Sequence, residues 1–135
     1  MEQPNNLLQW ARYYHSLGFS VIPVYTVDQD GICTCKKKHE CKNAGKHPAI
    51  NWQRFTKRRA DDDQLHNIGL VSGSISNNVF VVDVDTGEGK VGLETLDNVQ
   101  MAHDDLPITA TAKTGSGGKH IFLRAPQNFH VKTDT

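Results

Sequence analysis

An apolar run that ends in two aspartates constrains the fold of this chain more than any other feature. Residues 79–82 are Val-Phe-Val-Val and lead directly into Asp83-Val84-Asp85, which predicts a buried strand over 79–85. Alternate side chains of a strand share a face, so Asp83 and Asp85 should point the same way. Neighbouring carboxylates repel each other unless a cation separates them, so the pair favours Mg²⁺ or Mn²⁺. The alternative is an aspartate pair that caps a loop through backbone amides.

A glycine-rich turn is the second constraint. Residues 114–118 are Thr-Gly-Ser-Gly-Gly, and strand-forming runs lie on either side at 108–113 and 119–124. A short polar turn between two such runs predicts a β-hairpin. His120 then lies near the start of the second strand, directly after Lys119.

The chemistry of this turn indicates a phosphate contact. The backbone amides of Ser116, Gly117 and Gly118 can approach phosphate oxygens, and the imidazole of His120 could bind the same group. The alternative is an ordinary hairpin with a polar residue at its base. Secondary candidates for phosphate contact are the basic residues Lys113, Lys119 and Arg124.

The three cysteines lie within nine residues of a predicted loop over 27–48, at Cys33, Cys35 and Cys41. With His47 they could complete a tetrahedral zinc site, for which His39 is the rival fourth ligand. Four protein ligands leave no open position, so the zinc would be structural. Free reduced thiols are the alternative, and three cysteines in a reducing compartment make a disulfide the weaker interpretation.

Charge is distributed unevenly along the chain. The net charge is zero, but residues 36–59 hold nine of the fifteen Lys and Arg residues and one acid, Glu40. A local basic excess is typical of a polyanion contact, and a solvated basic loop is the alternative. Within this segment Lys46 could reach a phosphate or a template strand, whereas Trp52 is expected in the core.

The other predicted elements complete an α+β (mixed α/β) class. A helix should run from a cap at Asn5 or Asn6 to about residue 17 and end at Gly18. A second helix over 92–101 should turn Leu93 and Leu96 inward. Further predictions are a strand over 19–24 with Pro23 at an edge or end, a short helix or turn over 51–57, a helix beginning at 61–63, and a strand over 67–71.

Length and hydropathy restrict the class of protein. At 135 residues the chain is one domain or part of one. It has no apolar run long enough to span a membrane and no secretory signal at its start, so a cytoplasmic, reducing location is expected.

The order of motifs along the chain resembles a known family. The segments that carry the resemblance are 18–24, the Gly-Lys-His-Pro at 45–48 with Trp52, 67–73, Asp83 with Asp85, and 114–120. Together they resemble the N-terminal bifunctional DNA primase/polymerase domain of plasmid and phage replication proteins, in the archaeo-eukaryotic primase superfamily. The resemblance covers essentially the whole chain, 1–135.

The resemblance implies a fold and an activity. It implies an N-terminal α/β unit beside a catalytic sheet like that of an RNA-recognition motif, and template-directed nucleotidyl transfer from nucleoside triphosphates on a single-stranded DNA template. Asp83 and Asp85 would match the motif that binds two Mg²⁺ or Mn²⁺ ions, and His120 the motif that contacts the phosphates of the incoming nucleotide. The family has a third, acidic motif. We do not assign it to Asp134 and expect it in a longer protein, where a helicase domain often follows.

Two other functions fit the residues. One is a non-catalytic module that binds DNA or a nucleotide through the basic, cysteine-rich loop. The other is a metal-dependent nuclease or phosphohydrolase that uses the same aspartate pair, which the lack of further His and Asp clusters disfavours.

Overall fold

The computed structural model describes residues 6–59 and 68–132. These residues form two α-helices and two small antiparallel sheets, which confirms the predicted mixture of helix and sheet. The chain divides into two compact units, Met1–Asn77 and Asn78–Thr135. The helix predicted to begin at 61–63 and Asp134 lie outside the described residues. No helix of the described part is long and apolar enough to cross a membrane.

Helix α1 covers Leu7–Ser16 and opens the first unit. The Asn6 side chain accepts a hydrogen bond from the backbone N–H of Gln9 at 2.9 Å, so Asn6 is the N-cap that satisfies one of the free donors of the first turn. Gly18 follows the helix with a φ of 90°, a conformation that favours glycine. Both ends of α1 therefore agree with the sequence prediction.

The first sheet has two strands that are far apart in sequence. Strand β1 (Ser20–Pro23) pairs antiparallel with β2 (Ile68–Val71). Pro23 is the last residue of β1, as its missing N–H predicts. The helix and the sheet enclose the apolar core of this unit, whose buried members are Ala11, Val21, Ile22, Phe55 and Val71.

A 3₁₀ helix over Trp52–Thr56 adds an aromatic ring to this core. Phe55 is fully buried, whereas Trp52 is 41% exposed. The expectation that Trp52 lies in the core is therefore wrong, and Phe55 takes that place. The carbonyl of Phe55 accepts a hydrogen bond from the buried hydroxyl of Ser20 at 2.8 Å, which fixes the 3₁₀ helix to β1.

The second unit contains a three-stranded antiparallel sheet. Its strands are β3 (Val79–Val84), β4 (Thr111–Lys113) and β5 (Lys119–Arg124), in the order β3-β5-β4. The predicted hairpin between β4 and β5 is confirmed, although β4 begins at Thr111 and the preceding Ile108 is fully exposed. Strand β3 is only partly buried, since Val79 and Val84 are buried while Asp83 is exposed.

Helix α2 covers Gly92–Ala102, close to the predicted bounds. Leu96 is partly buried, but Leu93 is 45% exposed, so the prediction that both leucines face inward is wrong for Leu93. Helical spacing identifies side chains that share a stripe, but it does not fix how far a short sheet covers that stripe. No residue of α2 is buried.

Candidate functional site

The two predicted metal-binding carboxylates lie at the end of β3. Val84 is buried, while the side chains of Asp83 and Asp85 on either side of it are both 62% exposed. This alternation agrees with the expectation that both carboxylates point to the same, accessible side. A ligand could reach both groups without rearrangement of the core.

Each carboxylate has a basic side chain beside it. Asp83 lies directly opposite His120 in the β3–β5 register, and the Asp83 Oδ1 to His120 Nε2 distance is 3.4 Å. The Asp85 Oδ2 to Lys90 Nζ distance is 3.5 Å. These exposed contacts contribute little to stability, but Lys90 places a positive charge next to Asp85. The sheet thus brings together two motifs that lie 37 positions apart, at Asp83 and His120.

The glycine turn is closed by its own backbone. The N–H of Thr114 donates to the carbonyl of Gly118 at 2.9 Å, and the N–H of Gly117 donates to the carbonyl of Thr114 at 3.0 Å. Gly117 has a φ of 91°, which any side chain would disfavour. A Cβ atom on Gly118 would lie 2.3 Å from the carbonyl oxygen of Val84. Only glycine at 118 therefore lets the turn approach the end of β3 this closely.

The loop after β3 lies beside this turn. The hydroxyl of Thr86 donates to the carbonyl of Ser116 at 3.4 Å, and this hydrogen bond connects the loop to the turn. At the far end of the loop, the N–H of Gly92 donates to the carbonyl of Asp85 at 3.2 Å. A Cβ on Gly92 would lie 2.3 Å from that same oxygen. These two hydrogen bonds fix the start and the end of the loop that follows β3.

The basic residues of the hairpin that were candidates for phosphate contact lie apart from the carboxylates. Lys119 is paired with Val84 on one side and with Lys113 on the other. Because successive residues point to opposite faces, both lysines lie on the face opposite Asp83 and His120. Arg124 shares the face of His120 but is four residues along β5, about 13 Å away at a rise of about 3.3 Å per residue.

The four cysteine-loop residues form a second site, in the first unit. The donor atoms of Cys33, Cys35, Cys41 and His47 all lie within 4.8 Å of one another. His47 Nε2 is 3.5 Å from the Cys33 sulfur and 3.4 Å from the Cys41 sulfur. Within residues 6–59 and 68–132 this is the one group of three or more metal-ligating side chains that converge. His39, the rival fourth ligand, does not belong to it.

The surroundings of the cluster support metal-binding chemistry. Burial acts to raise the pKa of the Cys33 thiol, but hydrogen bonds from the backbone N–H groups of Cys35 and Gly45, and contact with His47, lower that pKa to about 6. Burial raises the pKa of Cys41, and its neighbours Cys33 and Cys35 raise it further. Cys33 thus favours the thiolate form that binds metals. Three sulfurs and one imidazole are a donor set of structural zinc sites, so these residues fit zinc.

Backbone pairing on both sides brings the ligands of the cysteine loop together. Val27 forms a β-bridge with Cys33, and Val24 forms one with Pro48. The N–H of Tyr25 donates to the carbonyl of His47 at 3.0 Å, and the ring of Tyr25 lies 4.7 Å from that of His47. The long predicted loop therefore has the internal organisation that a loop of this length needs.

Comparison with protein families decides the assignment. The model of the family described as "Bifunctional DNA primase/polymerase, N-terminal" matches residues 11–135. The chain belongs to this family. Comparisons with curated proteins and with solved structures return no match. The resemblance inferred from the order of the motifs is thereby confirmed.

Both candidate sites lie within the residues that match the primase/polymerase family. Sequence reasoning placed Asp83, Asp85 and His120 in one site but missed Lys90, which contacts Asp85. Its signal in the sequence is weak: a single basic residue in the loop Thr-Gly-Glu-Gly-Lys, five positions after Asp85. The closure of that loop, which carries Lys90 back to the strand end, is not visible in the sequence.

Proposed function

We propose that this chain is a primase/polymerase domain that catalyses template-directed nucleotidyl transfer from nucleoside triphosphates in plasmid or phage replication. The observation that carries the proposal is the cross-strand pair of Asp83 and His120, with atoms 3.4 Å apart, in a chain of the primase/polymerase family. Family membership supports the reaction class, and the pair supports the location of the centre.

The residues at the end of β3 suit the role of ion ligands. Asp83 and Asp85 provide hard oxygen donors on an accessible surface and would hold Mg²⁺ or Mn²⁺. When bound, such ions activate a 3′-hydroxyl and neutralise the charge of the triphosphate. His120 presents ring nitrogens beside Asp83, from where its N–H can donate to a phosphate oxygen. Sequence alternation and the exposure of both carboxylates support this arrangement.

The glycine turn is proposed as the phosphate contact. The N–H of Gly117 is already used within the turn, but Gly118 carries no side chain that would screen its backbone, and the hydroxyls of Thr114 and Ser116 lie 3.2 Å apart at the same turn. Small, closely spaced donors of this kind can approach a phosphate group. Lys113 and Lys119 remain secondary candidates from the opposite face, where long side chains would have to reach around the end of the strands.

The cysteine cluster is proposed to hold a structural zinc ion. Its four donors would fill the tetrahedral coordination of the ion and leave no position for a substrate. Catalysis is therefore assigned to the carboxylates of the second unit.

A synthesis assay tests the proposed function. Primer extension and de novo synthesis are measured with Mg²⁺ or Mn²⁺ for the unaltered protein and for Asp83→Asn, Asp85→Asn and His120→Ala. We expect each aspartate variant to lose more than about 100-fold in rate, because even outer-shell changes at metal sites cost about 10- to 100-fold. Asp97→Asn, an exposed acid on α2, is the matched control and should retain full activity.

The assay also separates the alternatives. Retained incorporation in either aspartate variant would contradict the assignment of the ion ligands. DNA or nucleotide binding without incorporation under any condition would favour a non-catalytic module. Strand cleavage that Asp83→Asn abolishes, without incorporation, would favour a nuclease.

A further inference from the structure

Five exposed lysines surround the cysteine cluster. Each lies within three residues of a cluster member: three follow Cys35, one follows Cys41 and one precedes His47. The donor atoms of the cluster point inward, and Cys33 and Cys35 are buried, whereas all five lysines are exposed. The lysines are Lys36, Lys37, Lys38, Lys42 and Lys46, and we call them the loop lysines.

The cluster gathers charges that the sequence spreads over eleven positions, 36–46. Consecutive Cα atoms are about 3.8 Å apart, and the four donor atoms lie within 4.8 Å of one another. The backbone at Lys36, Lys42 and Lys46, each adjacent to a cluster member, is therefore drawn around one centre. Three segments of chain thus present positive charge from a single small region.

The loop lysines are not held in ion pairs by the described residues. In the part of the chain that the structure describes, no carboxylate forms an ion pair with a loop lysine, and Glu40 is the one acid among residues 36–46. Like charges held together repel each other, and an external polyanion relieves that repulsion.

The backbone at Lys38 is left-handed, with a φ of 49°. A non-glycine residue keeps this strained conformation only where its surroundings impose it.

The composition of the loop favours a nucleic acid over a membrane surface as the bound polyanion. Residues 34–47 contain no Phe, Tyr or Trp and no large aliphatic side chain. A basic site on a membrane surface typically adds such apolar anchors, whereas phosphate contacts to a nucleic acid need only charge and hydrogen-bond donors. Without a Phe, Tyr or Trp ring for bases to stack on, such a site would bind mainly the backbone of a strand.

We propose that the loop lysines form a phosphate-contacting site for single-stranded nucleic acid, on a loop whose shape is held by the metal bound to the cysteine cluster. The inference rests on the proposed function, in which this strand is the template. A zinc ion with three thiolates and one imidazole carries a net negative charge, because the thiolates outweigh the ion. The metal therefore contributes geometry to the site and no positive charge.

The test measures binding and does not depend on catalysis. Fluorescence anisotropy of a labelled oligothymidylate is followed over a series of salt concentrations, with zinc-loaded full-length chain. The variant Lys42→Gln/Lys46→Gln keeps side-chain length but removes two charges. We expect the slope of log affinity against log salt to fall by about 1.4, from about 0.7 per lost phosphate contact on a single strand, and affinity at about 0.1 M salt to fall about tenfold or more.

The matched control is Arg12→Gln/Lys132→Gln, which removes two exposed basic side chains outside the basic segment 36–59 and should leave slope and affinity near those of the unaltered chain. One zinc per chain in each variant establishes that the loop is intact. Removal of zinc by a chelator should weaken binding by a similar factor, because the loop then loses the geometry that holds the lysines together. Unchanged binding in the loop variant, or in the zinc-free protein, would overturn the proposal.

Two further results separate this proposal from its rivals. Equal, lysine-dependent binding to vesicles of anionic lipid at the same salt would overturn the choice of nucleic acid and indicate a membrane surface. If the loop variant weakens DNA binding but no form of the protein incorporates nucleotides, the proposed function fails and this site stands. If incorporation depends on Asp83 while the loop variant binds normally, the proposed function stands and this site fails.

Discussion

Single residues in the glycine turn differ in what their surroundings tolerate. A Cβ on Gly118 would lie 2.3 Å from the carbonyl oxygen of Val84, whereas a Cβ on Gly115 has no atom within 4 Å. We expect Gly118→Ala to lower the free energy of unfolding by about 1–3 kcal/mol, the usual cost of overpacking against fixed atoms. Gly115→Ala, the matched change in the same turn, should alter it by less than about 0.5 kcal/mol. Urea denaturation measures both, and equal effects would contradict the close approach of the turn to β3.

Residue-level reasoning from the sequence succeeds where one local rule decides the outcome. The cap at Asn6 and the left-handed Gly18 fix the ends of α1, and Asp83 and Asp85 are both exposed on either side of buried Val84, as alternation predicts. It fails where two distant segments decide. The faces of Lys113 and Lys119 depend on the register between strands, which no local pattern contains.

At the scale of elements, the cysteine loop distinguishes two histidines that the sequence leaves as rivals. His47 lies within 3.5 Å of two cysteine sulfurs, whereas exposed His39 is outside the cluster. We expect His47→Ala to lose zinc and to melt at a lower temperature, because metal ligation contributes folding free energy directly. His39→Ala should keep one zinc per chain and the original melting temperature. Metal analysis and thermal unfolding test this, and zinc loss in His39→Ala alone would reverse the ligand assignment.

The same loop should respond to acid. The pKa of Cys33 is lowered from 9.0 to about 6 in the folded chain, so the folded state binds fewer protons than the unfolded state between these values. The stability that this thiolate contributes is fully present above about pH 9, declines as the pH falls and is lost below about pH 6. Zinc ligation requires the same thiolate, so acid also favours release of the metal.

Thermal unfolding of the metal-free chain between about pH 8.5 and about pH 5.5 checks this direction. The melting temperature of the unaltered chain should fall with the pH by more than that of Cys33→Ser, which lacks the titrating thiol. Parallel curves for the two proteins would contradict the lowered pKa. Zinc content, measured over the same range, should decrease in the unaltered chain as the pH falls.

Element pairing marks the limit of prediction from this sequence. The β4–β5 hairpin was predictable because a short glycine turn joins its strands, whereas the β3–β5 and β1–β2 pairs join segments more than 30 residues apart. Such pairs depend on which strands meet during folding, and local composition does not specify the choice of partner. The β3–β5 pair is also the one that places His120 beside Asp83. The candidate residues could therefore be named from the sequence, but their contact across the sheet could not be derived from it.

At the scale of the whole molecule, the two units carry different chemistry. The unit Met1–Asn77 contains the cysteine cluster and the loop lysines, and the unit Asn78–Thr135 contains the carboxylates and the glycine turn. If the first unit holds the strand and the second carries out the transfer, substitutions in each should affect different kinetic constants. Binding interactions that do not change in the transition state alter KM, and interactions specific to the reaction alter kcat.

We therefore expect one variant to change KM alone and another to change kcat alone. Lys42→Gln/Lys46→Gln should raise the KM for template about tenfold, in line with lost phosphate contacts, while kcat at saturating template is retained. Asp83→Asn should abolish kcat while the dissociation constant for single-stranded DNA stays unchanged, because we propose that this carboxylate holds a metal ion and that the loop lysines hold the template. Steady-state kinetics over a template series, with anisotropy for the inactive variant, measures both constants. A fall in kcat for the lysine variant at saturating template would mean that the loop lysines also act in the transfer step, and the division of roles between the units would then be wrong.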